Sequence, residues 1–200
     1  MLFVISGPSG VGKTTLVRRV LEDFENIVFC VSHTTRKKRN GEVEGRDYYF
    51  VSESEFRRMI EEDELVEWAI VHGSYYGTSK KELKKVGVNA DCILDIDIQG
   101  AQQIREKLQD ATFIFIMPPL FQELKKRLEA RGDESAASVQ KRLEVAREEI
   151  KYYHQFDYIV INDELKRAVK DLKSIIRSEK CRLDTRSLEV ESILESFTEY

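Results

Sequence analysis

The stretch that narrows the fold most is Gly7-Pro8-Ser9-Gly10-Val11-Gly12-Lys13-Thr14, which matches G-x-x-x-x-G-K-[ST] at every fixed position. An apolar run, "LFVIS", precedes it, and a helical pattern from Lys13 to about Asp23 follows it. Between a strand and a helix, the glycines allow positive φ and close backbone approach. Successive N–H groups then point into one concavity at the positive end of a helix dipole. The ligand such a loop takes is a phosphate. Lys13 is placed to reach the β- and γ-phosphates of a nucleoside triphosphate, and Thr14 to offer its hydroxyl to Mg2+. Gly7 through Thr15 are therefore the expected ATP-binding residues. The loop does not say which acceptor receives the phosphoryl group.

A strand feeding such a loop needs parallel neighbours, and the chain supplies them. "NIVFCVS", "DCILDID", "ATFIFIMPP" and "FDYIVIN" are continuous apolar runs separated by helical stretches, with Pro118 and Pro119 stopping the third. Apolar strands between helices predict an α/β fold with a parallel sheet covered on both faces. Residues 33–88 break the rhythm with short, polar, alternating strands and read as an inserted substrate-binding lobe. Ser52 and Glu55 have capping-box spacing before a helix there. Two charged helical stretches, about Leu120 to Ala130 and Ala136 to Gln155, flank "RGDES" and fit a mobile lid. The expected division is a core of 1–32, 89–123 and 151–180, the lobe at 33–88, a lid at 124–150 and a helical tail at 181–200. The tail carries "LEVESILESF", apolar on one side, and is expected to pack on the body or on a partner, a homodimer being possible.

Composition removes some function classes. With 32 basic and 36 acidic residues the formal net charge is -4, so no global positive field draws the chain to nucleic acid. No apolar run reaches the length of a membrane span, so no membrane role is expected. The start, "MLFVIS", does not read as a signal peptide. Cys30, Cys92 and Cys181 are odd in number and far apart, which predicts thiols and a cytoplasmic, reducing setting.

The acceptor must be read from the rest. Asp95 and Asp97 fall at the carboxyl end of a buried strand, where sites in parallel sheets form, although Asp97 also stands where it can cap the next helix. In the lobe, "VSHTTRKKR" gathers four cations, "GRDYYF" adds tyrosines, "LVEW" contributes Glu67, and "SYYGTS" adds Tyr76 and Thr78. Arginine forks and tyrosine hydroxyls suit a phosphate, and a carboxylate suits a base edge that presents donors.

The ordered set "SGPSGVGKTT", "VSHTTRKKRNGEVEGRDYYF", "ELVEWA", "SYYGTS", "CILDIDIQGAQQI", "IFIMPP", "LKKRLEARG" and "VIND" resembles the guanylate kinase family over about residues 2 to 178. The resemblance implies a P-loop NTPase-type parallel sheet flanked by helices, with an inserted mixed β/α GMP-binding lobe and a helical lid. It implies transfer of the γ-phosphoryl of MgATP to GMP, and to dGMP. By the same resemblance Arg36, Arg39, Tyr48 and Tyr76 hold the GMP phosphate and Glu67 accepts from guanine N1 and N2. Ser32 and Thr78 approach O6, and Asp97 lies beneath the guanine. Asp95 acts through metal-bound water. Lys13, Arg36, Arg131 and Arg142 surround the transferring group, and Asn162 lies near adenine. Lys37-Lys38 precede Arg39 where the family often has a proline, and His33 reads as a loop side chain. The alternatives are a kinase for a sugar phosphate, which has no need of Glu67, Tyr76 and Thr78 together, and a phosphopeptide-binding scaffold. The intact Gly12-Lys13-Thr14 weighs against the scaffold.

Overall fold

The protein is described by a computed structural model covering residues 1–85, 90–130 and 136–198. In chain order the elements are β1 (Leu2–Ser6), α1 (Lys13–Leu21), β2 (Ile27–Phe29), β3 (His33–Thr34), β4 (Tyr49–Phe50), α2 (Glu53–Glu61), β5 (Leu65–Val71), β6 (Ser74–Ser79) and α3 (Lys80–Lys85). They continue with β7 (Asp91–Asp95), α4 (Ile98–Lys107), β8 (Thr112–Met117), α5 (Phe121–Glu129), α6 (Ala136–Glu149), β9 (Tyr158–Ile161), α7 (Leu165–Glu179) and α8 (Leu183–Thr198). A 3₁₀ turn, Ile150–Gln155, follows α6 and completes the helical stretch expected from Ala136 to Gln155.

Five strands form one parallel sheet in the order β2-β7-β1-β8-β9. β1 is its centre, pairing Ile5 with Asp95 on one side and Ile114 on the other. Side chains alternate across a strand, so Phe3 and Ile5 face a core with α1 and α7, through Leu16, Val20, Leu172 and Ile176. Val4 faces the other way, with Leu94, Ala101 and Ile104. Burial on both faces is why these strands read as unbroken apolar runs. The stripe Leu124, Leu128, Val139 and Leu143 of α5 and α6 joins the first core, which anchors the expected lid beside the loop.

The second sheet has the order β4-β3-β6-β5 and is mixed, with β3 and β4 parallel and the other pairs antiparallel. β5 and β6 form a hairpin turning at His72 and Gly73, whose φ values are 51° and 81°, the paired positive φ of a tight hairpin turn. α2 lays Phe56 and Met59 against Leu65. Ser52 caps it, accepting from the Glu55 N–H at 3.1 Å. Ser52→Ala is expected to cost about 1 kcal/mol, read as a lower denaturant midpoint with the slope unchanged.

Two sequence expectations need correction, and a third is narrowed. Cys30 and Cys92 are joined in a disulfide rather than standing as thiols. β2 and β7 are parallel neighbours, which brings the two Cα atoms to 6.2 Å across a separation of 62 residues, a proximity that sequence spacing does not show. Cys181 is free and exposed. His33 lies in β3, not in a loop, with its ring 4.7 Å from that of Tyr49. The tail is helical, but Leu188, Ile193, Leu194 and Phe197 are exposed, so those side chains do not pack on the body. Its start is tied down, by Thr185 to the Glu179 carbonyl and Arg186 to the Lys180 carbonyl. Among the described residues no helix is long and apolar enough to cross a membrane.

Candidate active site

A cleft of about 930 Å³ runs from the glycine-rich loop to the second sheet. At one end, Gly7, Gly10 and Gly12 hold φ values of 141°, 88° and 100°. A Cβ on Gly7 would stand 2.2 Å from the Ile116 carbonyl oxygen, so the loop runs directly over β8. Gly12 opens α1 with no side-chain cap, leaving the first N–H groups of the helix free for an anion. Lys13 donates from Nζ to the Gly7 carbonyl at 2.7 Å and so lies across the loop. Thr14 Oγ1 donates to Asp95 Oδ2 at 2.8 Å. Burial raises the Asp95 carboxyl above its ordinary range, while Lys13 and Thr14 pull it back.

The loop is braced from behind. Val11 is fully buried, so only its backbone is available to a ligand. Its carbonyl accepts from Asn162 Nδ2 at 2.7 Å and Arg127 Nη1 at 3.2 Å, and Arg127 Nη2 donates to the Asn162 carbonyl at 2.8 Å. Asn162, expected near adenine, thus spends an amide hydrogen on the loop itself. From α6, Arg142 Nη2 donates to Ser9 Oγ at 2.5 Å, and the Ser9 N–H donates to Glu149 Oε2 at 3.3 Å. Arg131, also expected here, lies outside the described residues.

The middle of the cleft is cationic. Arg36 donates from Nε to the Tyr76 hydroxyl at 3.1 Å and from both Nη groups to the Glu42 carboxylate at 3.0 and 2.8 Å. Its guanidinium also lies 5.3 Å from the centre of the Tyr48 ring. Burial raises the Tyr48 phenol above its usual value, which keeps it a proton donor. Glu42 further accepts from the Arg39 N–H at 2.7 Å, and the Arg39 side chain lines the cleft. Asp47 joins Arg18 of α1 to the lobe.

At the far end sits Glu67, only 2% exposed. β5 carries a bulge between Leu65 and Glu67, which sets Val66 and Glu67 toward α4 together. Val66 packs with Ala101 and Ile104, and Glu67 Oε2 reaches Gly100. Glu67 Oε1 has no hydrogen-bond partner among the described residues. Burial pushes its carboxyl up to about 7, with Asp97 adding to the rise and Thr78 opposing it. Ser32 Oγ and Thr78 Oγ1 share a hydrogen bond of 3.1 Å. Asp97 lines the cleft and caps α4, accepting from the Gly100 N–H at 3.0 Å.

A phosphate loop, a cationic saddle and a buried acceptor thus share one cleft. The family model for guanylate kinase matches residues 1–179. The chain belongs to the guanylate kinase family. It is similar to the guanylate kinases of Geobacter sulfurreducens, 48% identical over 91% of this chain and 90% of the relative, and of Caldanaerobacter subterraneus subsp. tengcongensis, 48% over 92% and 90%. A crystal structure of guanylate kinase from Anaplasma phagocytophilum superposes with a TM-score of 0.75 at 34% identity, covering 91% of this chain and 86% of that one. The chain is thus an ATP-dependent nucleoside-monophosphate kinase that phosphorylates GMP, and the sugar-phosphate and scaffold alternatives fall away.

Three residues of this guanylate kinase site escape the sequence reading. Glu42 sits three residues after Arg39, and its acidity beside a cation cluster was the available signal. Arg127 and Glu149 belong to charged helical runs in which nothing distinguishes them from solvated neighbours.

Proposed function

We propose that the loop end of the cleft takes MgATP and the second sheet takes GMP, with Lys13, Arg36, Arg142 and Arg131 around the transferring phosphoryl group. The single observation carrying the base assignment is the buried, unpartnered Glu67 Oε1. Guanine offers two donors there, N1–H and the N2 amine. Adenine has neither and would leave the carboxylate desolvated and unpaired, which is how a polar site rejects an analogue. Ser32 and Thr78 face O6, Asp97 lies beneath the base, and Arg36, Arg39, Tyr48 and Tyr76 hold the phosphate. Those features are common to GMP and dGMP, so both are accepted. Asn162 acts on the adenine side through the loop it braces.

Thr14 and Asp95 fit Mg2+, because both present hard oxygens and sit in contact at the loop, and this ion takes few protein ligands and leaves the rest to phosphate and water. Bound with ATP, it neutralises phosphate charge. The chain's own part is positioning and charge stabilisation, since the loose transition state of phosphoryl transfer asks for little covalent help. Lys13 and the loop amides hold the donor end. Arg142, already on Ser9, and Arg131 come from the lid over the transferring group. Closure of lid and lobe excludes water, the competing acceptor. With ATP and GMP as its substrates, the enzyme is placed in the cytoplasm.

The test is ADP formation with GMP, AMP, CMP, UMP, IMP or no acceptor. Rapid release with GMP, and only slow release with AMP or without acceptor, supports the assignment. Equal rates with AMP would remove Glu67 from the base site. A pH series adds a second check. Glu67 accepts from guanine only when ionised, and the free enzyme holds its proton up to about 7. The KM for GMP therefore falls as pH rises through about 7 and levels above it, by about tenfold per unit on the acid side. Glu67→Gln removes that inflection. For the fold the sign is opposite. A carboxyl raised above its unfolded value stabilises below the unfolded pKa, and that contribution is lost as pH rises through about 7.

A further inference from the structure

Gly100 is a glycine in the first turn of a helix, with no left-handed φ to require it. Alanine is the better helix former at such a position. What glycine provides is space. A Cβ there would stand 2.5 Å from Glu67 Oε2, 3.2 Å from Glu67 Cδ and 3.2 Å from Asp97 Oδ1. The carboxylate therefore rests against the bare backbone of α4, on the turn whose Gly100 N–H is held by Asp97 at 3.0 Å. With Oε2 seated on the helix, Oε1 is the oxygen left without a partner among the described residues. Val66 and Ala101 pack in the same cluster, which holds β5 against α4 at this point.

We infer that Gly100 is a specificity-determining positioning residue, whose missing side chain sets the depth and direction of the Glu67 carboxylate toward the guanine edge. The inference rests on the assignment of Glu67 as base reader. It has an unusual signature. The nearest obstacle to a methyl group is the tip of Glu67, with Asp97 Oδ1 next, so Gly100→Ala can be absorbed by moving the very atoms that read the base. The variant should fold as well as the parent or better, and recognise guanine worse.

The experiment is steady-state kinetics of the full chain with GMP and with IMP, which keeps N1–H and O6 but lacks the N2 amine. Gly100→Ala is expected to raise the KM for GMP by about tenfold or more, since a 1 Å misplacement in a site is felt at this scale. The KM for ATP and the melting temperature should hold, and the preference for GMP over IMP should shrink. In a Glu67→Ala background the same change should add nothing, because the two residues act as one unit. Unchanged GMP kinetics in Gly100→Ala, or an equal loss in both backgrounds, overturns the inference while leaving Glu67 in place. Failure of Gly100→Ala to fold overturns it too, because the contact would then be structural. If Glu67→Ala itself leaves the KM for GMP unchanged, the base assignment falls and takes this inference with it.

Discussion

Replacing Lys13 with alanine is expected to lower turnover by about a thousandfold, equivalent to about 4 kcal/mol of transition-state stabilisation. The ammonium lies across the loop on the Gly7 carbonyl, 2.7 Å away, at the mouth of the concavity made by Gly7, Gly10 and Gly12. In the proposed arrangement its charge meets the β- and γ-phosphates of ATP, and a cation that stabilises the charge of the transferring group is worth about a thousandfold or more in phosphoryl-transfer sites. The loop itself should survive, because its shape comes from glycine backbone and from Asn162 and Arg127 on the Val11 carbonyl. The melting temperature of the variant should therefore stay close to that of the parent. ADP release at saturating ATP and GMP is the measurement. A rate within tenfold of the parent would take Lys13 off the phosphates.

The second large effect is at the other end of the cleft. Glu67→Gln should reduce kcat/KM for GMP by about a hundredfold to a thousandfold, since two charge-assisted hydrogen bonds are each worth about 1.5–3 kcal/mol. The amide cannot accept from both guanine donors, and its own NH2 meets one of them. Binding of ATP, measured by calorimetry without GMP, should not change, because Glu67 belongs to the second sheet. Stability above pH 7 should hold or rise, since the variant no longer buries an ionising group. Unaltered GMP kinetics would end the assignment, and a parallel loss of ATP binding would turn the effect into one on folding.

The parallel core and the phosphate loop were legible because each is local or periodic. The loop is a fixed spacing, and the apolar runs of β1, β7 and β8 announce their own burial. The cap at Ser52 is likewise a matter of three residues. What stayed hidden is relational. Cys30 and Cys92 meet because β2 and β7 are neighbours, and neither residue marks that choice. Glu149 and Arg127 act on the loop across well over a hundred positions, from helical faces whose charge pattern is that of a solvated surface. Asp97 had two readings from sequence, cap and cleft, and the geometry assigns it both. The bulge that turns Val66 and Glu67 together cannot be read from "LVEW", because it depends on the count of residues opposite, in β6.

The central position of β1 has a consequence for how the chain comes into being. Its first partner strand, β7, lies 90 residues further along, as the contact of Met1 with Asp91 shows, and its other partner, β8, comes later still. At ribosomal speeds of about 5–20 residues per second, the strand that carries the phosphate loop waits on the order of ten seconds for a neighbour. During that time Phe3, Val4 and Ile5 are without the sheet that later buries them. The glycine-rich loop is thus made well before the two strands that flank β1 and give it its setting. On the proposed assignment of the cleft, a growing chain cannot bind ATP on this loop before residues 33–88 have been made.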